Sequence, residues 1–318
     1  MTPATAPAIP GALRLDWRRD LLDQQRRDVV PRDRFEQLLQ SAGADDDSTV
    51  VFHGDCHNWF AAFGAWVAVL HGVRDVRLLD GGSAAWLAED RPLTRRGSAP
   101  RHGTLTLTGP ERGTPLPHRA FLSDVLAAAE GRSDAILLDV RSPEEYAGLR
   151  TAPPGEDEGA MRPGHVPGAI SLPWGALVDG HGRFRPVAEL RRILATRGID
   201  GRRPIITYCR IGERSSHTWF VLKHLLGYSD VRNYDGSWTE WGSAVGVPGS
   251  MRGAWSCEGI DCASALGGRS AVVPEGAMAG RGRNASHATS ASNPMPNTSH
   301  PQAGIARVRC AGVGGSSA

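Results

Sequence analysis

The stretch Tyr208-Cys209-Arg210-Ile211-Gly212-Glu213-Arg214-Ser215-Ser216 brings a nucleophile, two cations and a glycine into one short segment. The apolar, β-branched run 204–208 leads into it. A helical pattern with Trp219, Phe220, Leu222, Leu225 and Leu226 on one side leaves it. The order is strand, loop, helix, with the cysteine at the strand's end. Backbone N–H groups of such a loop converge, and the helix N-terminus behind them carries partial positive charge, so both favour an anion. The pattern predicts a stabilised thiolate at Cys209, since thiols at helix N-termini or beside cations reach pKa values of roughly 3.5–7.5, with a second anionic group bound beside it. Arg214 is the first choice for contacting that anion and Arg210 the second, because a guanidinium fork suits oxyanions. Gly212 is expected to supply a backbone conformation barred to bulkier residues. Ser215 is assigned to the binding loop and Ser216 to a structural helix cap. Glu213 is expected to be solvated or paired to an arginine rather than catalytic.

Other polar residues read as supports. Asp139 and Arg141, at the end of another predicted strand, fit an internal ion pair, since buried charges need partners. Asp235-Gly236-Ser237 reads as turn chemistry that braces the loop. Trp174, Trp238 and Trp241 read as packing residues, one of them a candidate wall of the pocket.

The elements that must position these residues occur twice. Gly72-Val73-Arg74-Asp75-Val76 through Gly81-Gly82 and Trp86 reappears as Gly227-Tyr228-Ser229-Asp230-Val231 through Gly236-Ser237 and Trp241, at an offset of 155 residues. Ile9-Pro10-Gly11-Ala12 with Trp17 is echoed by Val166-Pro167-Gly168-Ala169 with Trp174. A period this long indicates a duplicated domain, not a solenoid of roughly 20–50-residue units. The first half is predicted as helix 32–40, strand 49–52, helix 59–70 and strand 76–79. The second is predicted as helix 121–129, strand 135–140, helix 189–196 and strand 205–208. Strands alternating with helices imply α/β domains with mainly parallel sheets flanked by helices. Nothing before Ile9 matches residues 119–165, so the first half lacks a counterpart of the strand at 136–140 and is expected to carry an exposed sheet edge. In the repeat His53, not a cysteine, stands opposite Cys209, and Cys56 lies off the nucleophile's place. A metal site on His53, Cys56 and His57 would need a fourth ligand that the sequence does not offer, so a non-catalytic duplicate loop is expected and no metal or cofactor.

The organisation follows: a truncated first domain at 1–100, a Gly-, Thr- and Pro-rich linker at 101–117, a catalytic domain at 118–248 and a low-complexity tail at 249–318. The tail holds one aromatic, Trp255, which is too little apolar surface to offset ordering entropy, so disorder is expected there. Cys257, Cys262 and Cys310, all in the tail, are given no role. A net charge of +2 on 318 residues gives no nucleic-acid or membrane-surface signal. No run approaches the roughly 20 apolar residues of a membrane helix, and residues 1–10 lack the features of a secretory signal. Five widely spaced cysteines argue for a reducing cytoplasm rather than a disulfide scaffold.

These residues resemble the rhodanese superfamily, specifically the two-domain thiosulfate sulfurtransferases of actinobacterial type. The resemblance rests on the run from Cys209 to Ser216, on Asp139-Val140-Arg141-Ser142-Pro143-Glu144-Glu145-Tyr146, on Arg162-Pro163-Gly164-His165-Val166-Pro167-Gly168-Ala169, and on Asn233-Tyr234-Asp235-Gly236-Ser237-Trp238. It spans roughly residues 9–248. It implies tandem rhodanese-like domains with catalysis in the second, and transfer of sulfane sulfur from thiosulfate to a thiophilic acceptor such as cyanide or a thiol. The carrier is a persulfide on Cys209, with Arg214 and then Arg210 as the oxyanion contacts. Members normally begin before the segment matching Ile9 and end near Pro248. Cysteine phosphatases and arsenate reductases have a Cys-x5-Arg loop; here the spacing is Cys-x4-Arg, a tighter ring that suits a persulfide better than a tetrahedral phosphate. Alternatives to carry forward are 3-mercaptopyruvate as donor, a non-catalytic persulfide carrier, and an inactive gene product.

Overall fold

The computed structural model describes residues 8–94, 101–109, 116–153, 159–251 and 302–308. The first half opens with strand β1 (Leu13–Asp16), and the Asp16 carboxylate caps helix α1 (Trp17–Leu21) by accepting from the N–H groups of Arg18 and Arg19. A hairpin of β2 (Leu22–Asp23) and β3 (Asp28–Val29) follows, then α2 (Arg32–Ser41), β4 (Thr49–Gly54), α3 (Trp59–Leu70), β5 (Asp75–Leu78) and α4 (Gly82–Ala88). The second half contains α5 (Leu122–Ala129), β6 (Ile136–Asp139), α6 (Pro143–Ala147), β7 (Ile170–Ser171), α7 (Val187–Ala195), β8 (Ile205–Tyr208), α8 (Glu213–Phe220), β9 (Val231–Asn233) and α9 (Ser237–Trp241). The helices and strands read from the sequence lie within two residues of these.

The second sheet has the order β7-β6-β8-β9 and is parallel throughout. Every residue of β6 and β8 is buried. That fits their near-continuous apolar sequences, because a parallel sheet is covered on both faces. The first sheet has the order β1-β10-β4-β5, where β10 (Gln302–Val308) comes from the tail and runs antiparallel to β1 and β4. By the repeat, β1 matches β7, β4 matches β8 and β5 matches β9, so β10 lies where β6 lies in the other sheet.

This differs from the sequence reading at one point: the edge expected from the missing strand is paired, with residues 302–308 as its partner. The physical reason is that two flanking strands leave rows of backbone donors and acceptors that a third strand satisfies, which outweighs the weak apolar content of that segment. Trp255, Cys257, Cys262 and Cys310 lie outside the described residues. The connection between the halves also docks: the N–H of Gly103 bonds to the Gln40 carbonyl, the N–H of Leu105 bonds to the Ala44 carbonyl, and Leu105 and Leu107 are buried.

Helix α3 is apolar around nearly its whole circumference and almost entirely buried, as a helix covered on all sides must be. It packs on β4 on one side and on α8 on the other. Phe52, Trp66, Cys209 and Trp219 accordingly belong to one apolar core that runs through both halves. A second cluster, with Tyr146, Tyr208, Trp238 and Trp241, covers the opposite face of the second sheet. At the seam, Arg119 bonds Asp28 of β3 at 2.7 Å and Asp235 at 2.8 and 2.9 Å. Among the described residues, no helix is long and apolar enough to cross a membrane.

Candidate active site

Strand β8 ends at Tyr208, and Cys209 follows directly. The Cys209 N–H donates to Ser237 Oγ at 3.1 Å, and its carbonyl accepts from the Trp238 N–H at 3.1 Å. These bonds tie the nucleophile's backbone to the start of α9. The chain then turns through Arg210 and Ile211 to Gly212, which adopts φ +101° as the N-cap of α8. A Cβ at Gly212 would stand 2.9 Å from the Asp235 Cα as well as in a left-handed conformation, so glycine is required there on two counts.

The Sγ of Cys209 faces inward. The Gly212 N–H donates to it at 3.2 Å, and Ser215 Oγ lies 3.6 Å away. Ser215 Oγ also reaches the Gly212 carbonyl at 3.1 Å, and Ser216 Oγ donates to the same carbonyl at 2.7 Å. Asn233 Nδ2 braces Ser216 Oγ at 2.9 Å. Ser216 therefore holds the turn in place, and Ser215 touches the sulfur.

Two features depart from the sequence reading. The thiol is fully buried, and the Glu213 carboxylate, itself only 2% exposed, points into the loop with Oε2 3.2 Å from Sγ. Glu213 is therefore not solvated; it pairs with Arg214 at 3.6 Å, as one of the two expectations had it, and in addition contacts the sulfur. Burial pushes the Cys209 thiol up from its ordinary value and Glu213 adds to the rise, while Arg214 and Ser215 offset it only in part. The loop amides were expected to lower the Cys209 thiol; in this structure burial and Glu213 act in the opposite direction. The loop sequence exposes the donors to view but not the buried carboxylate.

Arg214 sits behind the sulfur with both terminal nitrogens on Glu145 of α6, at 2.8 and 3.0 Å, and its Nε lies 3.6 Å from Glu213 Oε1. The Trp59 ring of α3 lies 5.9 Å from its guanidinium carbon. Glu145 also accepts the Ser142 N–H at 3.0 Å in a capping box that starts α6. Burial raises the Glu145 carboxyl, but the bonds and charge of Arg214 prevail and hold it below its ordinary value. Arg210 is buried, and its carbonyl accepts the Thr239 N–H. Asp139 and Arg141 form the expected internal pair at 2.6 Å, fully buried, with Trp238 stacked on the guanidinium at 4.6 Å.

The duplicate loop of the first half is built differently. His53 is buried at the place equivalent to Cys209, with Nδ1 3.4 Å from Ser83 Oγ, and burial alone pushes it down to about 4. Cys56, His57 and Asn58 all have positive φ, and Asn58 pins the turn by bonding Gly54 and Leu79. Trp59 and Trp174 meet edge to face at 4.8 Å, and Trp174 also contacts His217 of α8. A cavity of about 710 Å³ opens beside the Cys209 loop, lined by Ile211, Asp235, Gly236 and Thr239 of the second half and by Trp17 and Arg27 of the first.

A duplicated α/β unit with a cysteine in the loop that follows a central parallel strand and leads into a helix defines a rhodanese-type domain pair. The rhodanese-like domain family matches residues 6–89 and 122–244, and the chain belongs to that family. It is 51% identical over 243 residues to a Mycobacterium bovis protein provisionally named thiosulfate sulfurtransferase SseA, an alignment covering 76% of this chain and 78% of that one. It is 46% identical over 245 residues to the sulfur carrier protein TtuD of Thermus thermophilus, covering 76% of this chain and 84% of that protein. The fold also matches the anaerobic ergothioneine biosynthesis enzyme of Chlorobium limicola, in complex with trimethyl histidine, at a TM-score of 0.63 and 25% identity. That match covers 77% of this chain and spans 60% of the enzyme.

Proposed function

We propose that this chain is a thiosulfate sulfurtransferase. Cys209 takes the outer sulfur of thiosulfate as a persulfide, sulfite leaves, and a thiophilic acceptor such as cyanide or a small thiol removes the sulfur. The observation that carries the reading is the Cys209 sulfur at the end of β8, facing the Gly212 N–H and Ser215 Oγ. Such donors stabilise a sulfur anion as an oxyanion hole stabilises oxygen. The names borne by the mycobacterial relatives support the same reaction. Arg214, held by Glu145, contributes fixed positive charge behind the sulfur, and Arg210 is the second cation for the departing sulfite. The cavity beside Ile211 is the space assigned to the acceptor. The first half, with His53 in the nucleophile's place, is non-catalytic and walls the site with Trp59. The chemistry calls for no cofactor.

Covalent storage implies ping-pong kinetics. The test is thiocyanate formation from thiosulfate and cyanide, with intact mass after thiosulfate alone. The wild type should gain about one sulfur atom, as covalent catalysis demands, and Cys209→Ser should gain none and make no thiocyanate. Equal activity in the variant overturns the assignment. A second reading, a persulfide carrier that serves a partner, is favoured by the full burial of Cys209 and by the name of the Thermus relative. It predicts the same mass gain with slow release to cyanide.

A further inference from the structure

A thiol must lose its proton before it attacks, and Cys209 is cut off from solvent. The side chains and amides around Sγ divide by what they can accept. Gly212 offers an N–H and Ser215 a hydroxyl whose oxygen also lies 3.1 Å from the Gly212 carbonyl. The contact that accepts from the sulfur is the Glu213 carboxylate, at 3.2 Å. We propose that Glu213 is the proton acceptor for Cys209 and thus a catalytic residue of the sulfur transfer.

This assignment rests on the sulfurtransferase reading and gives it a proton path. Glu213 takes the S–H proton and becomes a neutral carboxylic acid, and the negative charge moves to Sγ, where Gly212 and Ser215 already point. The thiolate bonds to the outer sulfur of thiosulfate, and the sulfur–sulfur bond of thiosulfate breaks with its electron pair leaving on sulfite. One thiolate and one dianion become one persulfide anion and one sulfite dianion, so charge balances. When the acceptor removes the terminal sulfur, the thiolate returns and Glu213 gives its proton back.

The surroundings suit this role. Arg214 on α8 lies 3.6 Å from the other carboxylate oxygen, close enough to hold Glu213 in place while committed to Glu145 of α6. Arg210 lies on the same loop, and Asp235, which abuts Gly212, is held by Arg119. His217, one turn along α8, is pushed down to about 3 by burial and by His57 of the first half, so it stays neutral near pH 7 and does not compete for the proton.

The test is the pH dependence of two single-turnover rates between about pH 6 and 8: sulfite release from thiosulfate, and alkylation of Cys209 by neutral iodoacetamide. With an internal acceptor, the wild-type rates should be nearly flat. In Glu213→Gln the proton must go to solvent, so the rates should climb about tenfold per pH unit below the thiol pKa, in step with the thiolate fraction. Glu213→Asp, which keeps a carboxylate at shorter reach, should stay flat at a lower rate. His57 is present in all three proteins and contributes equally. A tenfold-per-unit climb in the wild type, or one shared profile for wild type and Glu213→Gln, overturns the proposal. Should Glu213→Gln fail to fold, the wild-type and Glu213→Asp profiles still decide it. Alkylation reads the proton transfer even if thiosulfate proves not to be the donor, so loss of sulfite release with a flat alkylation profile refutes the donor and spares Glu213.

Discussion

Glu145→Gln isolates the charge that holds Arg214 in place. Glu145 and Arg214 side chains are only 1% and 3% exposed, and two bonds of 2.8 and 3.0 Å join them. The amide keeps the shape but strips the counter-charge and presents hydrogens to a guanidinium that cannot accept them. Breaking one side of a buried pair costs about 3–5 kcal/mol. For a domain of this size each kcal/mol lowers the melting temperature by about 2–4 °C, so a fall of about 6–20 °C is expected by circular dichroism near pH 7. The sign with pH follows from the depressed carboxyl of Glu145. Its stabilising contribution is complete above the unfolded carboxyl value of about 4.3 and is lost as pH falls through the lower folded value. The gap between wild type and variant should therefore hold from neutral pH to about pH 5 and close below the unfolded value. Adding Arg214→Met should recover much of the loss, since apolar replacement of a whole buried pair is often neutral. A single variant that melts within about 2 °C of wild type, or a gap that persists at a pH where the wild-type Glu145 carboxyl is protonated in both the folded and the unfolded state, would refute the reasoning.

Gly212→Ala should fold with a distorted loop, because its Cβ meets the Asp235 backbone at 2.9 Å in a left-handed turn. A loss of about tenfold or more in sulfur loading is expected, in line with the cost of misplacing reacting groups, and loading at the wild-type rate would argue against the ring. Arg119→Met leaves Asp28 and Asp235 without their shared cation. Hydrogen bonds to charged groups contribute about 1.5–3 kcal/mol each, so a lower urea midpoint is expected, and an unchanged midpoint would show the seam does not depend on this bridge.

The strand, loop and helix around Cys209 were legible because local rules agree there: a β-branched run, a glycine at the turn and an apolar helix face. The left-handed backbone at Gly212 followed from the same logic, whereas Ser216, expected to cap the helix, lies inside α8 and donates back to the Gly212 carbonyl. The partner of Arg214 was not legible, because one carboxylate, Glu145, serves both a local cap with Ser142 and an arginine 69 residues away. The inward turn of Glu213 was missed because a glutamate at a helix start usually faces solvent, and only the tertiary cover of α3 over α8 encloses it. Strand β10 was hidden for a related reason. Its sequence, Gln302-Ala303-Gly304-Ile305-Ala306-Arg307-Val308, carries little strand signal, and its partners lie near residues 13 and 54.

That inserted strand has a consequence for biogenesis. The sheet built from the earliest residues cannot be finished until residue 308 has emerged from the ribosome, whereas the other sheet draws only on residues 136–233. Domains ordinarily mature in the order of synthesis; here the first sheet keeps a gap between β1 and β4 until β10 arrives, although β4 and β5 already pack on α3. Nascent chains stalled before residue 302 should therefore protect the Cys209 half from protease while the leading half is still cut.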